Sequence, residues 1–264
     1  MKKTSKLKNI LKSLQKVLLA YSGGVDSTLL LKVALDTLGK ENVLAIIAKS
    51  ETYPKSEEKE AVDTAKRLDT NFIVIKTCEF SDKNFIKNSR NRCYYCKKEL
   101  FIKLKKIAEK EKIPHVIDGS NKDDLQDYRP GAVAKKELGV RSPLQEAGLT
   151  KEEIRQLSKS LGLATWNKPA YACLASRVPY GTKITKEILT RIDEGEKFLR
   201  GLGLRQVRAR DHGNIVRIEV GKEDMSQMLD EDLRDDIARK FELMGYTYVA
   251  VDLQGYRAGS MNTD

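Results

Sequence analysis

Through the first two thirds of the chain, short apolar and β-branched runs alternate with stretches whose apolar residues recur at helical spacing. Val17–Tyr21, Val43–Ala48, Phe72–Thr77 and His115–Asp118 read as strands, with Leu29–Leu38, Glu57–Leu68 and Cys93–Lys110 as helices between them. Strands separated by helices in this way predict βαβ crossovers and a parallel sheet covered on both faces. The expectation is an α/β fold, with a doubly wound parallel-sheet, nucleotide-binding domain over residues 1–180.

The stretch 166–181, interrupted by Pro169 and Pro179, reads as an irregular connection. Residues 181–264 then predict a smaller α+β domain. A helix over Thr185–Arg200 carries Ile188, Ile192 and Leu199 on one face, and strands follow at Gln206–Arg210 and Ile215–Val220 around a turn at Asp211–Asn214. A second helical stretch reaches Met244, and Thr247–Leu253 is a last strand. With that turn, Arg210 stands opposite Ile215, Val207 opposite Ile218 and Ala209 opposite Val216. One face is then apolar, and the other gathers Arg208, Arg210, Arg217 and Glu219 as an outward basic surface, suited to a phosphate or simply solvated.

At 264 residues the chain is long enough for a substantial core, and no apolar run approaches a membrane span. The Lys-rich start has no apolar signal-peptide centre, so a cytoplasmic location is expected. The net charge of +11 would attract polyanions. Many lysines fall on the amphipathic stretches Lys2–Lys16 and Lys97–Lys112, which favours solvated helix faces over a nucleic-acid surface. Four cysteines, Cys78, Cys93, Cys96 and Cys173, suggest metal ligands or reactive thiols rather than disulfides. Cys78, at a strand end, is expected to be a small buried apolar residue.

The sharpest local signal is Ser22-Gly23-Gly24-Val25-Asp26-Ser27, between a strand and a helix beginning near Ser27. Two glycines let backbone approach a phosphate, two hydroxyls can donate to it, and the helix N-terminus adds its dipole. Neither G-x-x-x-x-G-K-[ST] nor G-x-G-x-x-G occurs, which argues against γ-phosphate transfer and dinucleotide binding. The hexapeptide resembles the PP-loop of the ATP pyrophosphatases, which cleave ATP between the α- and β-phosphates. In such a loop the pyrophosphate is the leaving group, and Asp26 is placed to position a magnesium ion.

Three further stretches narrow the class: Asn91-Arg92-Cys93-Tyr94-Tyr95-Cys96-Lys97, Asp118–Asp124 running on to Asp127-Tyr128-Arg129-Pro130-Gly131, and Lys168–Arg177. With the C-terminal run Asp252–Ser260, they resemble the LarE family of ATP-dependent sulfur transferases, which make the nickel-pincer nucleotide cofactor of lactate racemase. The resemblance spans nearly the whole chain, in matching order.

The resemblance implies a pyridinium-3,5-dicarboxylate mononucleotide substrate, whose carboxylates are adenylated with ATP and Mg2+ and then attacked by sulfur. It implies ATP binding by Ser22, Gly23, Gly24, Val25, Asp26, Ser27 and Asp124, with Asp26 and Cys173 as catalytic residues. Arg208, Arg210 and Arg257 would hold the substrate phosphate, and Glu219 would contribute to a divalent cation site. A small-molecule nucleotide substrate, no membrane or nucleic-acid partner, and a homo-oligomer, a hexamer, complete that picture.

Two sulfur sources occur in the family. A cysteine matching Cys173 gives up its own sulfur, or three cysteines matching Cys93, Cys96 and Cys173 hold a [4Fe-4S] cluster whose fourth iron carries sulfide. A lone C-x-x-C is weak evidence, compatible with a dithiol, half a zinc site or a cluster corner. Adding Cys173 gives three soft ligands with an open position, which favours the cluster while leaving the sacrificial thiol, a structural metal and a redox pair open. A PP-loop tRNA thiolase is the rival function; no RNA-binding module is apparent in the C-terminal domain.

Overall fold

The sequence alternation translates into a parallel sheet in the order β3-β2-β1-β4, built from β1 (Val17–Tyr21), β2 (Val43–Lys49), β3 (Asn71–Lys76) and β4 (His115–Asp118). The structure is a computed structural model that describes residues 2–125, 130–169, 172–257 and 259–261. Register runs Val17↔Val43 and Val17↔His115 on the two sides of β1, and Leu44↔Asn71 between β2 and β3.

Side chains alternate across this sheet, and each face has its own core. Val17, Leu19, Tyr21, Val43, Ala45 and Ile47 pack with Leu7 and Leu11 of α1 (Lys2–Leu14), the apolar side of α2 (Val25–Leu38) and Ala61 and Ala65 of α3 (Lys55–Arg67). On the opposite face, Leu18, Ile46 and Val116 pack with Phe101, Leu104 and Ala108 of α5 (Arg92–Lys110). The short α4 (Lys83–Ile86) precedes α5. Helices on both faces are the doubly wound arrangement expected from the sequence.

Between β4 and residue 165, the sequence reading assigned no helices. Among the described residues the structure has three α-helices there: α6 (Pro130–Glu137), α7 (Pro143–Ala147) and α8 (Lys151–Ser160). The last starts at a reciprocal capping box, Thr150 accepting from Glu153 N–H while the Glu153 carboxylate accepts from Thr150 N–H.

The chain divides into two compact units, Met1–Phe85 with Arg90–Tyr171, and Ile86–Ser89 with Ala172–Asp264. Residues 172–180, grouped from sequence with the first domain, make their described contacts in the second unit. There the Asn88 amide donates to the carbonyls of Val178, Pro179 and Thr182.

The second unit carries β5 (Val207–His212), β6 (Ile215–Val220) and β7 (Tyr248–Val251), in that order, under α9 (Lys186–Gly201) and α10 (Glu231–Leu243). Gly195 of α9 lies so close to Phe241 of α10 that a Cβ would sit 2.6 Å from its ring.

The hairpin register differs from the expectation by two residues. Val207 pairs with Val220, Ala209 with Ile218 and Arg210 with Arg217, and the loop is Gly213-Asn214, with Gly213 at φ 80°. Asp211 reads as a turn former. It stays in the strand because its carboxylate is bound by Arg191 and by Tyr246 Oη at 2.8 Å. A shift of two preserves which side chains share a face. The arginine face nevertheless is not outward: Arg208 and Arg210 are 3% and 5% exposed, in contact with residues of the 173–177 and 256–260 segments.

Candidate active site

In open parallel sheets, ligands bind where loops leave the carboxyl ends of the strands. Here β1 runs directly into Ser22–Ser27. Gly24 is the N-cap of α2 and supplies no side-chain cap, so the N–H groups of the first turn point outward with the positive end of the helix dipole. The Ser22 and Ser27 hydroxyls are 3.0 Å apart, and Ser27 Oγ donates to Gly24 O at 3.2 Å. Tyr21 underpins the loop through a 3.2 Å hydroxyl contact with Thr28; burial raises its pKa.

Gly23 within the loop and Gly119 beside it are both sterically required. Gly23 has φ 70°, and a Cβ there would lie 2.7 Å from Ala61 Cβ of α3. At Gly119, just past β4, a Cβ would meet Ser27 N at 2.9 Å. The loop is thus wedged between α3 and the end of β4, and its shape is set by backbone contact.

Charged groups ring it. Asp26 Oδ1 accepts from the Asn121 amide at 3.3 Å and Oδ2 from Lys151 Nζ at 2.5 Å. Asp124 Oδ2 accepts from Asn121 N–H at 2.9 Å. Lys168 Nζ pairs with Glu57 and Glu60 at 2.8 Å and reaches Gly23 O at 3.5 Å. Burial alone would lower the Lys168 pKa, but the two carboxylates outweigh it and raise it. Lys135 is held by Asp118, Ser120 and Ser142. No role was assigned to Lys151 or Lys168 from sequence, although the Thr150-x-x-Glu153 box that begins α8 was a readable signal.

Cys93 and Cys96 stand one turn apart at the start of α5, both half-buried, with Cys96 Sγ 3.9 Å from Glu79 Oε1. Cys173, also half-buried, belongs to the second unit, and its carbonyl accepts from Arg177 at 3.0 Å. None of the four cysteines forms a disulfide, and Cys78 is exposed rather than buried, because it follows the edge strand β3. Three soft thiols fit an iron–sulfur cluster in kind. Among the described residues, no group of three or more His, Cys, Asp or Glu side chains is arranged to hold a metal ion.

In the second unit, Arg177 and Glu196 are fully buried partners at 2.7 Å. Burial opposes charge on both, yet mutual attraction raises the arginine pKa and lowers that of the carboxyl. Arg210 donates to Glu219 Oε2 at 2.7 Å, while Oε1 accepts from Arg217 and Ser260. Glu219, expected at a cation site, is therefore the counter-ion of two guanidiniums. Arg208 lies 5.0 Å from the Tyr256 ring, and its pKa is lowered by burial and then by Arg177. Arg257 joins through Asp252, which also pairs with Arg217. Among the described residues, six arginines here, Arg177, Arg200, Arg208, Arg210, Arg217 and Arg257, face three carboxylates, Glu196, Glu219 and Asp252. The motif positions Asp127, Tyr128, Arg129, Ala170, Tyr171 and Ala258 lie outside the described residues.

A parallel sheet whose first strand delivers this loop to an uncapped helix N-terminus defines an ATP-utilising enzyme of the PP-loop class, and the NAD synthase family matches residues 3–95. The NH(3)-dependent NAD(+) synthetase of Methanopyrus kandleri is 40% identical over 53 residues, 20% of this chain and 19% of that one. Similarity extends much further elsewhere. The pyridinium-3,5-bisthiocarboxylic acid mononucleotide synthase of Lactiplantibacillus plantarum is 41% identical over 252 residues, 96% of this chain and 91% of that protein. An uncharacterized protein of Synechocystis sp. is 44% identical over 261 residues, 98% of this chain and 97% of its own. The chain belongs to the family of that synthase, the LarE family. Among the described residues, no helix is long and apolar enough to cross a membrane.

Proposed function

We propose that this enzyme activates each carboxylate of a pyridinium-3,5-dicarboxylate mononucleotide with ATP and replaces one oxygen of it by sulfur. A carboxylate oxygen attacks the α-phosphorus and pyrophosphate leaves. A sulfur nucleophile then attacks the acyl carbon, the C–O bond breaks, and AMP departs with that oxygen. The observation that carries the reading is the Ser22–Ser27 loop at the N-terminus of α2, where N–H groups and the helix dipole suit the departing pyrophosphate. The name of the Lactiplantibacillus relative supports the substrate and the double thiocarboxylate product.

Asp26, flanked by Asn121 and Lys151, is the carboxylate we assign to a magnesium ion, with Asp124 steadying Asn121. The cationic surplus around Arg208 supports a phosphate site formed by Arg208, Arg210 and Arg257. A bound anion would offset both the burial and the Arg177 repulsion that lower the Arg208 pKa. Cys93, Cys96 and Cys173 are assigned as ligands of a [4Fe-4S] cluster, which supplies a labile sulfide when bound. A cytoplasmic homo-oligomer, a hexamer, remains part of the proposal.

The test is anaerobic turnover of reconstituted protein with ATP, sulfide and the dicarboxylate nucleotide. AMP, pyrophosphate and thiocarboxylate should form together beyond one turnover, and Cys93→Ala, Cys96→Ala and Cys173→Ala should each lose iron. Protein that binds no iron and loses one hydrogen sulfide in mass per polypeptide would instead identify Cys173 as a sacrificial donor.

A further inference from the structure

Asp26 is the acidic residue of the phosphate loop, and its geometry bears on how a metal would reach it. Its Oδ2 lies 2.5 Å from Lys151 Nζ, and its Oδ1 accepts from Asn121. The two side chains are 32% and 22% exposed, so the pair sits at a mouth open to solvent. A divalent cation coordinated by Asp26 needs the oxygen that the ammonium now holds, and two cations on one carboxylate repel each other.

The backbone of Lys151 is pinned. It is the first residue of α8, its N–H donates to Asp123 at 2.8 Å, and the helix start is locked by the Thr150–Glu153 box, itself tied to Lys3. Only the four-carbon stem can swing. The two neighbouring lysines are differently placed. Lys168 is shared between Glu57 and Glu60 and is 11% exposed, and Lys135 is enclosed by Asp118, Ser120 and Ser142 at 13% exposure. Lys151 is the more exposed of the three, and Asp26 is the partner of its ammonium among the described residues.

We propose that Lys151 is an exchangeable counter-cation. Its ammonium competes with the divalent metal for Asp26, and it moves onto the polyphosphate when the metal and ATP arrive together. The site would then reject free metal and accept the metal–nucleotide complex. This inference rests on the reading of Asp26 as the metal-positioning carboxylate.

The probes are Mn2+, followed by the resonance of the free ion, and ATP, followed by calorimetry, on the full chain. Wild-type protein should take up Mn2+ weakly alone and strongly with ATP. Lys151→Met should bind Mn2+ alone about tenfold more tightly and Mn2+–ATP about tenfold more weakly, since a charge-assisted phosphate contact is lost. Lys151→Arg should restore most of the nucleotide affinity, and Asp26→Asn should abolish Mn2+ uptake in either background. Equal Mn2+ and ATP affinities in wild type and Lys151→Met, with matching thermal midpoints, would overturn the inference alone. Wild-type protein that binds no ATP with or without Mn2+ would overturn the parent reading and this one with it.

Discussion

The phosphate loop and the arginine face of β5 and β6 are both suited to anions but are built from opposite materials. The loop relies on main-chain N–H groups, two hydroxyls and a helix dipole, with its charges, Asp26 and Lys151, partly exposed to water. The arginine face relies on full charges removed from water: Arg177 and Glu196 are inaccessible, and Arg208 and Arg210 nearly so. Backbone dipoles need no counter-ion, so the loop can stay small. Buried guanidiniums must be paired or hydrogen-bonded, which fixes them before any ligand arrives. The loop keeps its charges at the solvent boundary, whereas those of the arginine face are part of the fold.

The arginine face is most vulnerable at Glu196. Glu196→Ala leaves Arg177 buried without its carboxylate and should cost about 3–5 kcal/mol in urea unfolding. A loss below 1 kcal/mol would mean that the cluster tolerates lone charge and is not structural. On the loop side, Gly23→Ala must move Ala61 or leave φ 70°, and should lower the turnover that releases AMP about 100-fold with little change in unfolding midpoint. An unimpaired variant would show that loop shape is not wedge-determined.

Arg208→Ala should raise KM for the nucleotide substrate about tenfold while ATP affinity holds, because a charge-assisted contact contributes about 1.5–3 kcal/mol. Equal losses for both ligands would erase the separation drawn here. The smallest effect concerns Glu153, whose pKa is held down at about 2 by Lys3 and then by the Thr150 N–H. A depressed carboxylate contributes stability above its unfolded pKa and loses it as pH falls. The advantage of wild type over Glu153→Gln should therefore be constant above about pH 5 and vanish towards about 2. Because the pair is exposed, the difference should stay under about 1 kcal/mol, and a gap that persists at the acid end would contradict the assignment.

What was legible in the sequence follows the same division. The bounds of β1 and β4 were read correctly because local apolar runs define them, and the place of Ser22–Ser27 between a strand and a helix because its glycines and the flanking patterns are contiguous. The hairpin register was misread because Asp211 looks like a turn until Arg191 and Tyr246, distant in sequence, satisfy it. Burial of Arg208 and Arg210 depends on Ser176, Tyr256 and Ser260, so no strand-level pattern could announce it. Cys78 was misjudged because the order of strands, which puts β3 at an edge, is not written in β3 itself. Lys151 was missed for a similar reason: its partner Asp26 is 125 residues away.

In the proposed reaction a substrate carboxylate, not water or sulfide, attacks ATP. This is tested by turnover with substrate whose carboxylates carry heavy oxygen. Adenylation followed by displacement predicts one labelled oxygen in each AMP released and none in pyrophosphate, with one AMP per thiocarboxylate formed. Unlabelled AMP, or label recovered in inorganic phosphate or pyrophosphate, would contradict the account.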